Sequence, residues 1–391
     1  MNSTGTPSAK ATIPNDVNAR APHMRQRQAM YSNNKLKLGL FGANCSSGRA
    51  ITRVPERWTG SWEDSLALAQ AAEAAGIEFM LPIGRWKGYG GETDYQGTTL
   101  ETLTWAAGLL AKTKKITVFG TVHAPMFHPI IAAKEFVTCD LIGDGRFGLN
   151  IVVGWNQDEF EMFGIEQRDH DRRYDFADEW ISSIKRMWGP EEQFDFSGDF
   201  VNLKDVRAKP KPFGGSRPMI MNAAVSDTGH EFAVKHCEAL FSSATYGQFE
   251  QGAAHIRDVR ARAQAAGREI DVYTTGVITC RPTKAEAEEY YRHSIIECAD
   301  WGAVDHILSM RKLSAENTPD FQKVRERAAN GMGGLPIIGS PDDVADVLKK
   351  LSDAGFTGIA MSFLNYAKEL PYFQQEVLPR LERMGVREAV R

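Results

Sequence analysis

The chain is short of cysteine, of long apolar runs and of excess positive charge, and each shortage removes a class of function. Its five cysteines, Cys45, Cys139, Cys237, Cys280 and Cys298, are odd in number, scattered and without a CxxC pair in 391 residues. That pattern argues against a disulfide framework and a cysteine-built zinc site. It suits a reducing cytoplasmic setting in which each thiol is a small buried hydrophobe. No apolar stretch approaches the ~20 residues that span a bilayer. A net charge of −4 offers no basic stripe for nucleic acid. GxGxxG and the Walker pattern are missing, so a tightly held dinucleotide or ATP is not favoured. The serines also lack the GxSxG setting of a hydrolase.

What is present is a regular alternation of strand and helix. Residues 1–34 come first, rich in Ser, Thr, Pro, Asn and Ala with no hydrophobic segment. They read as a flexible tail, or as an arm docked on a partner subunit, and not as a secretory signal. Residues 35–391 read as one domain. Strands are expected at Leu36–Phe41, Ile77–Ile83, Ile116–Gly120, Phe147–Val153, Met219–Asn222, Ala239–Ser242, Val272–Thr279 and Gly358–Phe363, each followed by a helix. Eight such units predict a parallel α/β fold, a (β/α)8 TIM barrel. Insertions are expected at about 84–98, 189–215 and 300–338. The second carries a surface hairpin at Phe194–Phe200. The third has no clear strand and ends in a Gly-rich lid, Asn330–Gly334.

In this fold the chemistry sits at the C-terminal ends of the strands. Those ends are poor in acids, bases and nucleophiles. His123 is the single ring base there, with no carboxylate near it in sequence, and no cluster has metal-ligand spacing. A rim of amides, hydroxyls and aromatics suits a bound cofactor that carries the reaction itself. Asn150 stands inside the apolar run Phe147–Val153, where its amide must bond neighbouring backbone or face a ligand. Asn222–Gly229 runs small residues into a helix start. There Ser226 and free N–H groups either grip a phosphate or merely cap the helix. Arg172 and Arg173 offer guanidinium groups for the same phosphate, or are solvated helix charges. The loop Arg85–Tyr95 holds three glycines, two tyrosines and a tryptophan, a wall over a flat ligand or a self-packed surface loop.

Four stretches, Gly145–Trp155 (GRFGLNIVVGW), Asp171–Tyr174 (DRRY), Phe194–Phe200 (FDFSGDF) and Ala224–Asp227 (AVSD), occur in this order and at these spacings. Together they resemble the bacterial-luciferase-like flavin monooxygenases. Within that family they look most like the two-component branch that holds the pyrimidine monooxygenase of uracil degradation, with dimethylsulfone and alkanesulfonate monooxygenases further out. The likeness is good over about Leu36–Phe241 and looser beyond. It implies FMN used as FMNH2, delivered by diffusion from a separate NAD(P)H:flavin reductase, with O2 as co-substrate. It also implies a homodimer or homotetramer. The implied reaction oxygenates a small heteroatom-containing molecule through a flavin peroxide, at N5 or C4a, with a C–N, C–S or C–halogen bond broken.

By position, the resemblance places Gly84 and Arg85 against the flavin, Arg85 standing where the pyrimidine enzyme has a lysine. It places Asn150 beside the isoalloxazine, and Thr121 with Asn150 around the oxygen pocket. Glu159 becomes a flavin contact, and Arg173, Tyr174 and Ser226 the grip on the ribityl phosphate. Trp86, His123, Phe127 and Trp155, with the Met332 loop, shape the substrate pocket. His123 replaces a small residue there, which turns the pocket away from uracil. An F420-dependent oxidoreductase on the same barrel and a non-catalytic flavin-binding protein are the competing readings.

Overall fold

The computed structural model describes residues 28–244 and 248–389. Its strands are β1 (Lys37–Phe41), β2 (Phe79–Leu81), β3 (Thr117–His123), β4 (Phe147–Val152), β5 (Gln193–Ser197), β6 (Asn202–Arg207), β7 (Met219–Ala223), β8 (Ala239–Phe241), β9 (Asp271–Cys280), β10 (Leu335–Gly339) and β11 (Gly358–Ser362). Eight of them close a parallel ring in the order β1-β2-β3-β4-β7-β8-β9-β11 and back to β1. This is the expected (β/α)8 barrel, and the ring strands are the eight read from the sequence. The antiparallel hairpin β5–β6 stands outside the ring.

The lower barrel is filled by rings seated on glycines. A Cβ on Gly39 would lie 2.2 Å from the Phe79 ring, one on Gly148 2.3 Å from Phe119, and one on Gly358 2.4 Å from Tyr273. Those three rings meet edge to face, Phe79 lying 5.9 Å from Phe119 and 5.8 Å from Tyr273. Met30 packs into the same cluster. Gln28 donates to the Gly145 carbonyl, and Asn34 donates to Glu78. Residues 28–34 of the expected tail therefore close the barrel's N-terminal end. Residues 1–27 lie outside the described residues.

The span 300–338 departs from expectation, because it contains a strand. β10 pairs with the upper half of β9, Leu335 opposite Gly276 through Gly339 opposite Cys280. The three-residue β8 ends against Tyr273 and leaves that edge of β9 open. Pro336 and the flanking glycines hide β10 from a periodicity reading. Helices Trp301–Met310 and Phe321–Ala329 complete the insertion. They share a second apolar cluster with Tyr89 and Tyr95 of the 84–98 loop. The two insertions thus build one cap over a side of the barrel mouth. The Gly-rich stretch after Ala329 is held down: Arg49 donates to the Gly331 carbonyl. A Cβ on Gly331, at φ +101°, would lie 2.7 Å from the Val277 side chain.

Candidate functional site

The site begins with two residues side by side on neighbouring strands. Thr121 of β3 and Asn150 of β4 are register partners. Asn150 Nδ2 donates to Thr121 Oγ1 at 3.1 Å, and that hydroxyl donates to the Pro82 carbonyl at 2.7 Å. The carbonyl can only accept, so the network fixes the direction of both bonds. Asn150 Oδ1 is left buried without a partner.

From this pair a chain of contacts runs across the mouth. A Cβ on Gly84 would lie 3.3 Å from Thr121 Cγ2 and 3.0 Å from His123 Cε1. His123 Nε2 lies 4.0 Å from Glu159 Oε2. Glu159 Oε1 accepts from Arg85 Nη1 at 2.8 Å, from the Trp86 backbone N–H at 2.8 Å and from that of Lys87 at 3.3 Å. Asn156 caps the short helix Gln157–Met162 and turns Glu159 inward. Glu159 Oε2 and His123 Nδ1 are buried and unpartnered, like Asn150 Oδ1. Burial pulls the His123 pKa down to about 4; Glu159 opposes that fall and Arg85 adds to it. His123 is therefore neutral at pH 7 and is not a true ion-pair partner of Glu159.

Aromatic side chains wall this row. Trp86 lies 6.4 Å from Phe127, and Trp155 stacks on Tyr89 with centroids 6.3 Å apart and planes at 18°. The Arg85 guanidinium sits 4.5 Å over Tyr89. Gly154, at φ +82°, lets the chain turn between β4 and Trp155.

The second cluster is tied to the first through that glycine, because Arg173 Nη1 donates to the Gly154 carbonyl. Tyr174 follows Arg173 on helix His170–Trp188. Its hydroxyl lies against Gly229, where an added Cβ would come within 2.6 Å of it. Ser226 caps helix Asp227–His236, its Oγ accepting from Gly229 N at 3.2 Å. The twelve residues that the resemblance assigned thus lie at the C-terminal end of the barrel, in two linked groups, whereas Arg172, offered beside Arg173 for the phosphate, lies 4.8 Å over the Phe200 ring at the β5–β6 hairpin. The sequence reading took Tyr89 only as part of a candidate wall and missed Arg49, Gln96 and Arg311, which reach this mouth from the β1 loop and the two insertions. Among the described residues no group of three or more His, Cys, Asp or Glu side chains is placed to hold a metal. No described helix is long and apolar enough to cross a membrane.

The sequence pattern of the luciferase-like monooxygenases matches residues 37–358. The chain belongs to that family. FMNH2-dependent dimethylsulfone monooxygenase of Pseudomonas fluorescens is 29% identical to this luciferase-like monooxygenase over 362 residues, covering 90% of the chain and 96% of the relative. Pyrimidine monooxygenase RutA of Acinetobacter baylyi is 28% identical over 354 residues, covering 88% and 94%. Among solved structures, a riboflavin lyase crystallised with modified FMN and riboflavin superposes with a TM-score of 0.80 at 22% identity, covering 90% of this chain and 92% of its own. At that identity the likeness speaks for the fold.

Proposed function

We propose that this luciferase-like monooxygenase is the oxygenating half of a two-component system. It takes reduced FMN from a separate NAD(P)H:flavin reductase and uses O2 to oxygenate a small heteroatom-containing molecule, breaking a C–N, C–S or C–halogen bond. One observation carries this reading. Three buried polar atoms without partners, Asn150 Oδ1, Glu159 Oε2 and His123 Nδ1, line a mouth whose other walls are aromatic. Unpaired buried polar atoms cost free energy unless a ligand completes them, and a flat ring system edged with nitrogen and oxygen does so. The name of the dimethylsulfone enzyme supplies the identity of that ring, reduced FMN.

When bound, reduced FMN supplies the electrons that activate O2. The protein's part is to hold and to exclude. Gly84 and Arg85 border the ring, and Glu159 fixes Arg85 by charge and hydrogen bond. Asn150 presents its amide to the ring edge. The hydroxyl proton of Thr121 is committed to Pro82, so the donor left for dioxygen is the second Nδ2 hydrogen of Asn150. Thr121 is then a positioning residue. Ser226, Tyr174 and Arg173 stand at the phosphate end, where a helix start and a guanidinium favour an anion. Trp86, Phe127, Trp155 and a neutral His123 wall the substrate side and keep water out. Exposed Ile130, Ile131, Leu141 and Ile142 on helix Pro129–Ile142 support assembly into a homodimer or homotetramer.

The test combines the purified chain with a flavin reductase, NADH, FMN and 18O2, across cyclic amides, sulfones, sulfonates and halogenated aromatics. Oxygenated product carrying the label is expected. Removing a preorganised donor costs on the order of 10²-fold in rate, so Asn150→Ala should lower product per O2 consumed by about that factor while flavin oxidation continues. Full coupling in Asn150→Ala, or turnover that needs F420 and no O2, rejects the assignment.

A further inference from the structure

Two guanidinium groups sit on one aromatic stack at the mouth, and a third arginine is anchored beside it. Tyr89 lies between Tyr95, at 6.0 Å, and Trp155, at 6.3 Å, both rings near parallel to it. Arg85 sits 4.5 Å over Tyr89 and 6.0 Å over Trp155, and Arg311 sits 5.1 Å over Trp155 from the other insertion. Arg49 is anchored beside the stack by its backbone, the Tyr95 hydroxyl donating to the Arg49 carbonyl at 3.0 Å, while its guanidinium lies 4.6 Å over Phe41. Glu159 compensates Arg85 alone. Among the described residues no carboxylate lies within ion-pair distance of Arg49 or Arg311. Arg49 has one backbone carbonyl and the Phe41 ring, with Nε buried and unpartnered. Among the described residues the Arg311 side chain lies against the Trp155 ring alone. Desolvation lowers the proton affinity of half-buried Arg49 and, against the Trp155 face, of Arg311, a residue otherwise exposed at the rim; Arg311 also feels the charges of Arg49 and Arg85. With His123 neutral, three arginines and one glutamate leave two positive charges at this mouth. The end of helix Trp301–Met310 favours a cation at 311, but it does nothing for Arg49.

Like charges gathered at a cleft rim, Arg49 half-buried and Arg311 exposed, repel one another and favour an anion between them. A guanidinium is shaped to take a planar or tripodal oxyanion by two parallel N–H bonds, and the aromatic stack can hold the organic part beside it. We infer that Arg49 and Arg311 form the anion-reading end of the substrate pocket, so that the substrate is an organic carboxylate or sulfonate and not a neutral ring or sulfone. The word substrate here rests on the monooxygenase reading; the anion site does not. The cofactor's phosphate is assigned elsewhere, at Ser226 after β7, and the test keeps the two apart.

Calorimetric titration of the full chain compares benzoate with benzamide, and benzenesulfonate with methyl phenyl sulfone, with FMN binding measured on the same samples. Each anion should bind at least ten-fold more tightly than its neutral counterpart. Arg311→Gln, a change at an accessible position, should erase that preference, Arg311→Lys should restore part of it, and FMN affinity should be unaffected. Equal affinity for anions and neutral partners in the unaltered protein overturns the inference. So does an Arg311→Gln protein that keeps the preference, or one whose loss is shared by FMN, which would make the cluster a cofactor phosphate site. An intact anion preference in a protein with no O2-coupled turnover on any substrate would support the site while refuting the monooxygenase reading.

Discussion

Two buried glutamates, one at each end of the barrel, show how differently the same residue is used. Glu78 at the N-terminal end has both oxygens occupied. One takes Asn34 and Ser32; the other takes Leu38 N–H at 2.8 Å and lies 3.7 Å from Arg387. Glu159 at the C-terminal end has all three of its donors on Oε1 and none on Oε2. Below, rings sit on glycines and Met30 closes the end, and the open atoms there, Gln28 Oε1, Thr117 Oγ1 and the Tyr273 hydroxyl, are scattered. Above, polar atoms are buried and then left open. What sets the upper end apart is that Asn150 Oδ1, Glu159 Oε2 and His123 Nδ1 are open around one mouth, where one ligand can complete all three.

The largest effect expected from breaking this contrast comes from removing each carboxylate charge. Glu78→Gln and Glu159→Gln each leave a buried guanidinium without its counter-ion, which costs about 3–5 kcal/mol. Chemical denaturation should show both losses. The two should part when FMN is added. Thermal melts of Glu78→Gln should keep the full upward shift with FMN, and those of Glu159→Gln should lose most of it, since Glu159 is the charged partner that orients Arg85, the residue proposed to border the ring. Equal shifts in both would return Glu159 to the role of a structural acid like Glu78.

A somewhat smaller effect concerns His123, which the upper end holds neutral. An unfolded histidine takes up its proton near pH 6.5, and the folded one near pH 4. Between those values the unfolded chain binds the extra proton, so stability falls as pH drops and is unaffected above about 7. One pKa unit is 1.36 kcal/mol, so the loss accumulates to ~3 kcal/mol by pH 4. His123→Gln should flatten that part of the stability profile. His236, also held near pH 4 by burial but bonded to Asp178 at 2.7 Å, should keep its own share and serves as the internal control. An unchanged acid slope in His123→Gln would mean that this imidazole is solvated.

How much of this was legible in the sequence follows the range of the interactions. The eight ring strands were readable because period-two runs and helix caps are local signals. Thr283 with Glu286 forms the capping box that its spacing announces, and Ser340 caps the helix that opens on Pro341, with Asp343 completing a second box. Thr121 and Asn150 were paired by resemblance, and register explains why they meet. The Glu159 partnership was not legible, because Arg85 lies 74 residues away; nor was a carboxylate beside His123, for the same reason. β10 stayed hidden because it is five residues long, contains a proline and forms only to cover the edge that β8 leaves. Arg49 and Arg311 gave no signal, since a lone arginine in a loop or at a helix end looks like any solvated charge until the fold gathers several.

Ser226 sets the finest test of the contrast, because a structural and a functional account fit the same atom. Its Oγ accepts from Gly229 N, as a helix cap should, and the same position is the proposed phosphate end. Ser226→Ala removes the cap and should cost about 1 kcal/mol of stability; it weakens FMN binding under either account. Ser226→Asp separates them. Aspartate caps a helix as well as serine does and suits the positive end of the helix dipole, so stability should be kept or slightly raised. It also sets a carboxylate where a phosphate must sit. FMN affinity, measured by fluorescence quenching of the flavin, should then fall well below that of Ser226→Ala and recover for riboflavin, which has no phosphate. If Ser226→Asp binds FMN as the unaltered chain does, the residue belongs with Glu78, among the groups that the fold completes by itself, and the phosphate must be held elsewhere on the rim.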